Sequence, residues 1–156
     1  MAKENTCCFT GHRILSSDFS EDVLHRGIEY LIGKGVNTFI CGGATGFDTV
    51  CALAVLKAKK KHPEISLHIY APCNNQSDNW KLSHRLTYKK IIKKADFIDM
   101  PDTGYFDGCM KIRNYKMVDN SAYCICYLNS AHSGTGQTFR YAKEKGLTIF
   151  NIAGKK

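Results

Sequence analysis

Most signatures that assign a chemistry directly from sequence are missing from this chain. None of its eight cysteines forms a C-x-x-C pair and its six histidines show no ligand spacing, so no metal and no cofactor is expected. There is no G-x-G-x-x-G fingerprint and no G-x-x-x-x-G-K-[ST] phosphate loop. No nucleophile and base stand in a recognisable pair. No apolar run approaches the roughly 18 to 20 residues of a membrane span, so no membrane partner is expected. Met1-Ala2-Lys3-Glu4-Asn5 lacks the apolar core of a signal peptide, and the cytoplasm is the expected compartment. Tryptophan occurs once and proline three times.

Acidic residues are in deficit: 14 Asp and Glu against 22 Lys and Arg give a formal charge of +8. The lysines cluster at 57–61, 89–90, 93–94 and in the tail Lys155-Lys156. They read either as solvated helix faces or as a field attracting an anionic ligand or nucleic acid. Aromatic residues do not interleave with these runs, which ranks a single-stranded nucleic-acid surface below a small anionic ligand.

What is present is an ordinary globular composition, with 44% hydrophobic and 23% charged residues. At 156 residues the chain reads as one domain, 1–156, with enough length for a core of its own. Most cysteines lie in apolar runs (Cys7-Cys8, Cys41, Cys124, Cys126) or on a helix (Cys51), where they act as small buried hydrophobes. Cys73 and Cys109 are expected in loops.

Strand patterns fall at 6–10, 36–41, 66–71, 96–100, 122–128 and 148–152. Helix patterns separate them. The first is capped at Asp18 or Ser20, with Val23, Ile28, Leu31 and Ile32 inward; the second runs 47–61, with Val50, Leu53, Ala54 and Leu56 inward. Others follow Trp80 to Lys94, cover 110–120, and run through Tyr141 to Gly146. Six such alternations predict an α/β fold: a single Rossmann-like three-layer sandwich with a mostly parallel sheet. Ligands in such sheets bind beyond the carboxyl ends of the strands. That rim gathers Gly11-His12-Arg13, 42–48, 73–80 and 133–137.

Two glycine turns stand there, each between a strand and a helix: Gly42-Gly43-Ala44-Thr45-Gly46 and Ser133-Gly134-Thr135-Gly136. Glycine permits close approach of a ligand to backbone, and a helix N-terminus offers N–H groups to phosphate. Thr45, Thr135 and Thr138 add hydroxyls. Arg13 can grip phosphate or pair with an acid; His12 is a proton donor or a polar contact. Asp48 either accepts from ribose hydroxyls or places charge at a helix start. Trp80 either stacks on a base or packs a helix. Met110 and Met117 read as core.

Four blocks in series, 9–13, 42–48, 109–119 and 133–142, resemble the YpsA-like branch of the SLOG superfamily, which is related to LOG phosphoribohydrolases and DNA-processing protein A. The resemblance implies a Rossmann-like fold and a nucleotide or nucleotide-derived ligand. LOG enzymes cleave the N-glycosidic bond of cytokinin nucleotides with an arginine, matched here by Arg113, and a glutamate, matched by Arg140. A cation at that position opposes an oxocarbenium-like state, unless Asp48 or Asp119 supplies the carboxylate. The resemblance therefore implies an ADP-ribose-like binding module, a sensor or sequestering protein. A nucleotide N-glycosidase using Arg113 and Asp48 is the alternative, and single-stranded nucleic-acid binding the second alternative. LOG-like relatives are commonly dimers through the helix around Arg113, so a homodimer is implied as well.

Overall fold

The computed structural model describes residues 1–130 and 133–155. Ala131, His132 and Lys156 lie outside the described residues, and with them part of the expected turn at 129–136 and the end of the lysine tail. Strands and helices alternate: β1 (Thr6–Gly11), α1 (Glu21–Gly33), β2 (Thr38–Cys41), α2 (Phe47–Lys61), β3 (Ser66–Tyr70), α3 (Leu82–Lys94), β4 (Phe97–Asp99), α4 (Cys109–Asp119), β5 (Tyr123–Tyr127), α5 (Gly134–Glu144) and β6 (Thr148–Asn151). The six strands form one sheet in the order β4-β3-β2-β1-β5-β6, every pair parallel.

Alternation along β1 decides the layering. Cys7 and Phe9 enter one core with Leu24, Ile28 and Leu31 of α1, Phe47 and Val55 of α2, and Ile91 of α3. Cys8, between them, enters a second core with Met117 and Val118 of α4 and Ala142 of α5. Side chains of a strand point alternately to its two faces, so α1, α2 and α3 cover one face and α4 and α5 the other. Both faces of the central strands are buried, which is why they read as unbroken apolar runs.

Local signals set the helix ends. Ser20 caps α1, its hydroxyl accepting the Val23 N–H at 3.2 Å. Lys59, Lys60 and Lys61 occupy the last turn of α2, where the helix dipole favours cations, and Pro63 lies just beyond. The inward face of α2 differs from expectation. Leu53 is exposed, while Cys51, Ala52, Ala54, Val55 and Ala58 are buried. Small residues bring α2 close to the sheet and leave the larger leucine outside. Cys73 lies in a loop as expected, whereas Cys109 is corrected and opens α4; both are buried. Burial pushes the thiols of Cys7, Cys41 and Cys51 up, and that of Cys126 to about 12. These cysteines are inert core residues.

The chain runs outward from β1 to β4 in one direction, then returns to place β5 on the other side of β1. The loops leaving β1 and β5 thus diverge and open a crevice at the strands' carboxyl ends. One wall is formed by two interlocked turns. The Phe47 N–H donates to the His12 carbonyl at 3.1 Å. A methyl group at Gly11 would run into the Phe47 ring, and one at Gly46 into the Arg13 carbonyl. Gly46 also has φ +80°, in the left-handed region that side chains disfavour. Gly46→Ala should therefore lower stability by about 2–4 kcal/mol through overpacking and backbone strain. Gly134→Ala, with open space at its Cβ, should lose nothing. Urea denaturation of both variants checks this, and an unchanged Gly46→Ala midpoint would refute the interlock.

Candidate functional site

The crevice is a cleft of about 260 Å³ at the ends of β1 and β5. Its walls bring together Gly11, His12 and Arg13 from the β1 turn, Asp48 from α2, Arg113 from α4, and Ser133, Gly134 and Thr135 from the start of α5. These come from four separate stretches of chain.

Arg113 forms the floor. Its side chain is buried and donates through Nη1 to the carbonyls of Gly42 and of Tyr70 (3.1 Å for the latter), tying the ends of β2 and β3 together. Nε donates to Asn114 Oδ1 at 2.8 Å, and Nη2 lies 3.5 Å from Met110 Sδ. Asp48 is equally buried and accepts the Ala44 N–H at 3.2 Å. A methyl at Gly42 would sit 2.7 Å from Arg113 Nη1 and 2.8 Å from Asp48 Oδ2. Only a glycine lets cation and carboxylate close in on the same backbone position.

The electrostatics follow from burial. Desolvation raises the Asp48 carboxyl above its ordinary value, while Arg113, the Ala44 N–H and Arg13 pull the other way. Desolvation likewise lowers the Arg113 guanidinium, opposed by Asp48; arginine nevertheless stays charged near neutrality. The cleft thus holds a fixed cation in its floor beside a carboxyl whose ionised form is disfavoured.

At the opposite wall Ser133 caps α5, its hydroxyl accepting the Gly136 N–H at 3.0 Å. Gly134 has open space where a side chain would stand. The first N–H groups of a helix have no partner within it and carry partial positive charge. Arg13 is exposed at the cleft mouth. His12 accepts the Asn129 N–H at Nε2 (3.1 Å). Tyr127 ties the loop after β1 to the end of β5, donating to Asp18 and accepting the Ser16 N–H at 3.1 Å.

A sequence model described as the YspA SLOG family matches residues 16–149. The chain belongs to the YspA SLOG family. Among its relatives, the SPbeta prophage-derived protein YoqJ of Bacillus subtilis (strain 168) is 32% identical over 140 residues, covering 81% of this chain and 82% of YoqJ. A UPF0398 protein of Halalkalibacterium halodurans is 32% identical over 100 residues, 57% of this chain and 53% of that protein. Among solved structures, DNA processing protein A from Streptococcus pneumoniae matches with a TM-score of 0.69 at 17% identity, over 96% of this chain and 50% of that one. The protein of the same name from Helicobacter pylori gives 0.70 at 18% identity, over 96% and 65%. These two likenesses concern the fold. The chain spans about half the length of the Halalkalibacterium relative and of the Streptococcus structure.

Within this family member, the other candidate ligand-binding residues singled out from sequence are not among the cleft lining. Gly43 (φ +76°) points at Tyr88, Gln76 and Ile69, the nearest atom 3.0 Å from a would-be Cβ. Gly46 lies under the Arg13 carbonyl, and Thr45 is half-buried at the turn. Gly136 and Thr138 are buried in α5, the Thr138 hydroxyl donating to the Gly134 carbonyl at 2.9 Å. Trp80 lines a neighbouring cavity. Arg140 is exposed on α5, and Asp119 accepts from the Tyr141 hydroxyl at 2.7 Å; neither lines the cleft. Met110, expected in the core, lines the cleft instead, whereas Met117 is core. Asn114 went unpredicted; its place directly after Arg113 was the available signal.

The buried pair gives a pH test. A carboxyl whose folded pKa is raised contributes stability that is present below its unfolded pKa, about 3.9, and lost as pH rises through the folded value. Asp48→Asn lacks this loss. The variant's stability relative to the parent should therefore increase from pH 4 upward and level off above the folded pKa of Asp48. Urea denaturation of both proteins at pH 4, 5.5 and 8 reads it; a pH-independent difference would contradict the raised pKa.

Proposed function

We propose that this chain binds a nucleotide or nucleotide-derived ligand in the cleft, its phosphate against Arg13 and the start of α5, as a sensor or sequestering module. The supporting observation is the convergence, at the β1–β5 crevice, of an exposed arginine with Ser133, Gly134 and Thr135 at the start of α5. Both favour an oxyanion, by charge-assisted hydrogen bonds and by helix-end N–H groups. Arg113, already engaged with the Gly42 and Tyr70 carbonyls, is the positive floor beneath the ligand. Asp48 lies within reach of sugar hydroxyls.

Base release would be the alternative outcome, and Asp48 keeps it in view. A buried carboxyl with a raised pKa in a cleft suits acid–base work. Titration calorimetry with AMP, ADP-ribose and NAD tests binding; chromatography after overnight incubation tests turnover. Arg13→Ala and Gly134→Val should each weaken binding about 10-fold or more with the fold intact, since a charged hydrogen bond contributes about 1.5–3 kcal/mol. No free base should appear. Affinity unchanged in both variants would sink the phosphate assignment, and base release abolished by Asp48→Asn would make the protein an N-glycosidase.

A nucleic-acid reading has its own support. DNA processing protein A from Helicobacter pylori is described by its single-stranded DNA binding mode. In this chain α3 carries Arg85, Lys89, Lys90, Lys93 and Lys94 and no acidic residue. The small-ligand reading ranks first because the cleft brings an arginine and a helix start together, whereas Tyr88, the aromatic among the α3 cations, is buried and offers no face for a base.

We further infer a homodimer joined through α4 and the β4 edge. Ile112 is 59% exposed, and Phe97, Ile98, Met100 and Phe106 are exposed too. An apolar groove of about 340 Å³ runs between Pro101, Phe106 and Ile112. Large exposed apolar surface of this kind suits a partner. Light scattering at tens of micromolar should give a dimer mass that Ile112→Glu reduces to a monomer; a monomeric parent would refute it.

A further inference from the structure

The cleft does not stop at Arg13. Arg13 and Met110 also line a second cavity of about 300 Å³, whose other walls include Asn75, Asp78, Asn79, Trp80 and Tyr105. The two cavities adjoin at those shared residues. Together they reach the range of about 300–1,000 Å³ typical of small-molecule sites.

The second lobe is built from two loops zipped together. The Asn74 N–H donates to the Thr103 carbonyl at 2.9 Å, and the Tyr105 N–H to Asn75 Oδ1 at 3.0 Å. The loop before α3 is itself tied by hydrogen bonds from the Asp78 N–H to the Asn75 carbonyl and from the Trp80 N–H to the Ser77 carbonyl. Trp80 packs edge-on against Tyr88 at 5.3 Å and 72°, and the Tyr88 hydroxyl accepts from Gln76 Nε2 at 3.0 Å. The indole is therefore held from one side before any ligand arrives, and a fixed aromatic ring in a cavity rimmed by amides suits a flat polar heterocycle.

The lining also discriminates among such rings. Asn75 and Asn79 can donate or accept, but the Asp78 carboxylate only accepts. A ring carrying an exocyclic amine satisfies it; a ring with a carbonyl there sets oxygen against oxygen.

We propose that the Trp80 lobe binds an amino-bearing nucleobase, so that one ligand spans both lobes, its base on Trp80 and its phosphate at the start of α5. This rests on the phosphate assignment above, and the probes separate the two. AMP, IMP and ribose 5-phosphate differ in that order by an amine turned carbonyl and by loss of the base. The readouts are calorimetry and the fluorescence of Trp80, the only tryptophan.

AMP should quench Trp80 and bind about 10-fold or more tighter than IMP, because stacking and a satisfied carboxylate both act. Ribose 5-phosphate should bind without quenching. Trp80→Ala should weaken AMP about 10-fold and leave ribose 5-phosphate unchanged. Asp78→Asn, an exposed position that spares the fold, should bring AMP and IMP within about twofold. Equal affinities for AMP and ribose 5-phosphate without quenching would overturn the base lobe while leaving the phosphate end standing. Equal affinities for AMP and IMP in the parent would overturn the amino-base assignment. Failure of both AMP and ribose 5-phosphate to bind would overturn the phosphate assignment and this proposal with it.

Discussion

The contact between the turn after β1 and the turn before α2 fixes the position of everything around the cleft. It consists of one backbone hydrogen bond, from Phe47 to His12, and two glycines pressed against their partners. Gly11 admits the Phe47 ring, and Gly46 admits the Arg13 carbonyl. With these contacts closed, Arg13 stands at the mouth and Asp48, one residue after Phe47, stands inside. Phe47 also stacks against Tyr127 at 5.9 Å and 25°, and Tyr127 holds the loop between β1 and α1. A single aromatic cluster thus anchors both walls to the sheet.

Beneath this wall the Arg113–Gly42–Asp48 arrangement explains why a buried cation is tolerated. A buried charge is costly unless hydrogen bonds and an opposing charge compensate it. Arg113 finds carbonyls from β2 and from β3, the Asn114 amide, and the field of Asp48. Desolvation disfavours the charged form of both groups, and arginine still stays charged near neutrality. The floor is therefore rigid and polar at once, with its cation already committed to backbone. That geometry suits holding a ligand more than driving a bond-breaking step, since the arginine has few donors left to follow a developing charge. The exposed position of Arg140 on α5 removes that residue from the cleft lining.

The fold was largely legible in the sequence because its signals are local and strong. Six apolar runs separated by amphipathic segments, Ser20 as a cap, and Pro63 beyond α2 each act over a few residues. The rim was legible too, since strand ends in a parallel sheet bring loops of one kind together whatever their sequence. Gly11, Arg13, Asp48, Arg113 and Ser133 through Thr135 were readable as candidates from their places at those ends.

What the sequence could not supply is which way each residue faces. A glycine admits both a ligand and a neighbouring loop, and only tertiary packing shows that Gly11, Gly43 and Gly46 accommodate Phe47, Tyr88 and Arg13. Leu53 and Met110 exchanged their expected surroundings for the same reason. Helical periodicity gives a stripe, while the spacing to the sheet decides which side of the stripe is buried. The meeting of Trp80's cavity and the cleft at Arg13 and Met110 depends on residues 67 and 30 positions from Trp80 along the chain, one in the β1 turn and one in α4. Sequence alone determined the layers and the rim; long-range packing decided which rim residues share one cavity, because side-chain direction depends on contacts between distant segments.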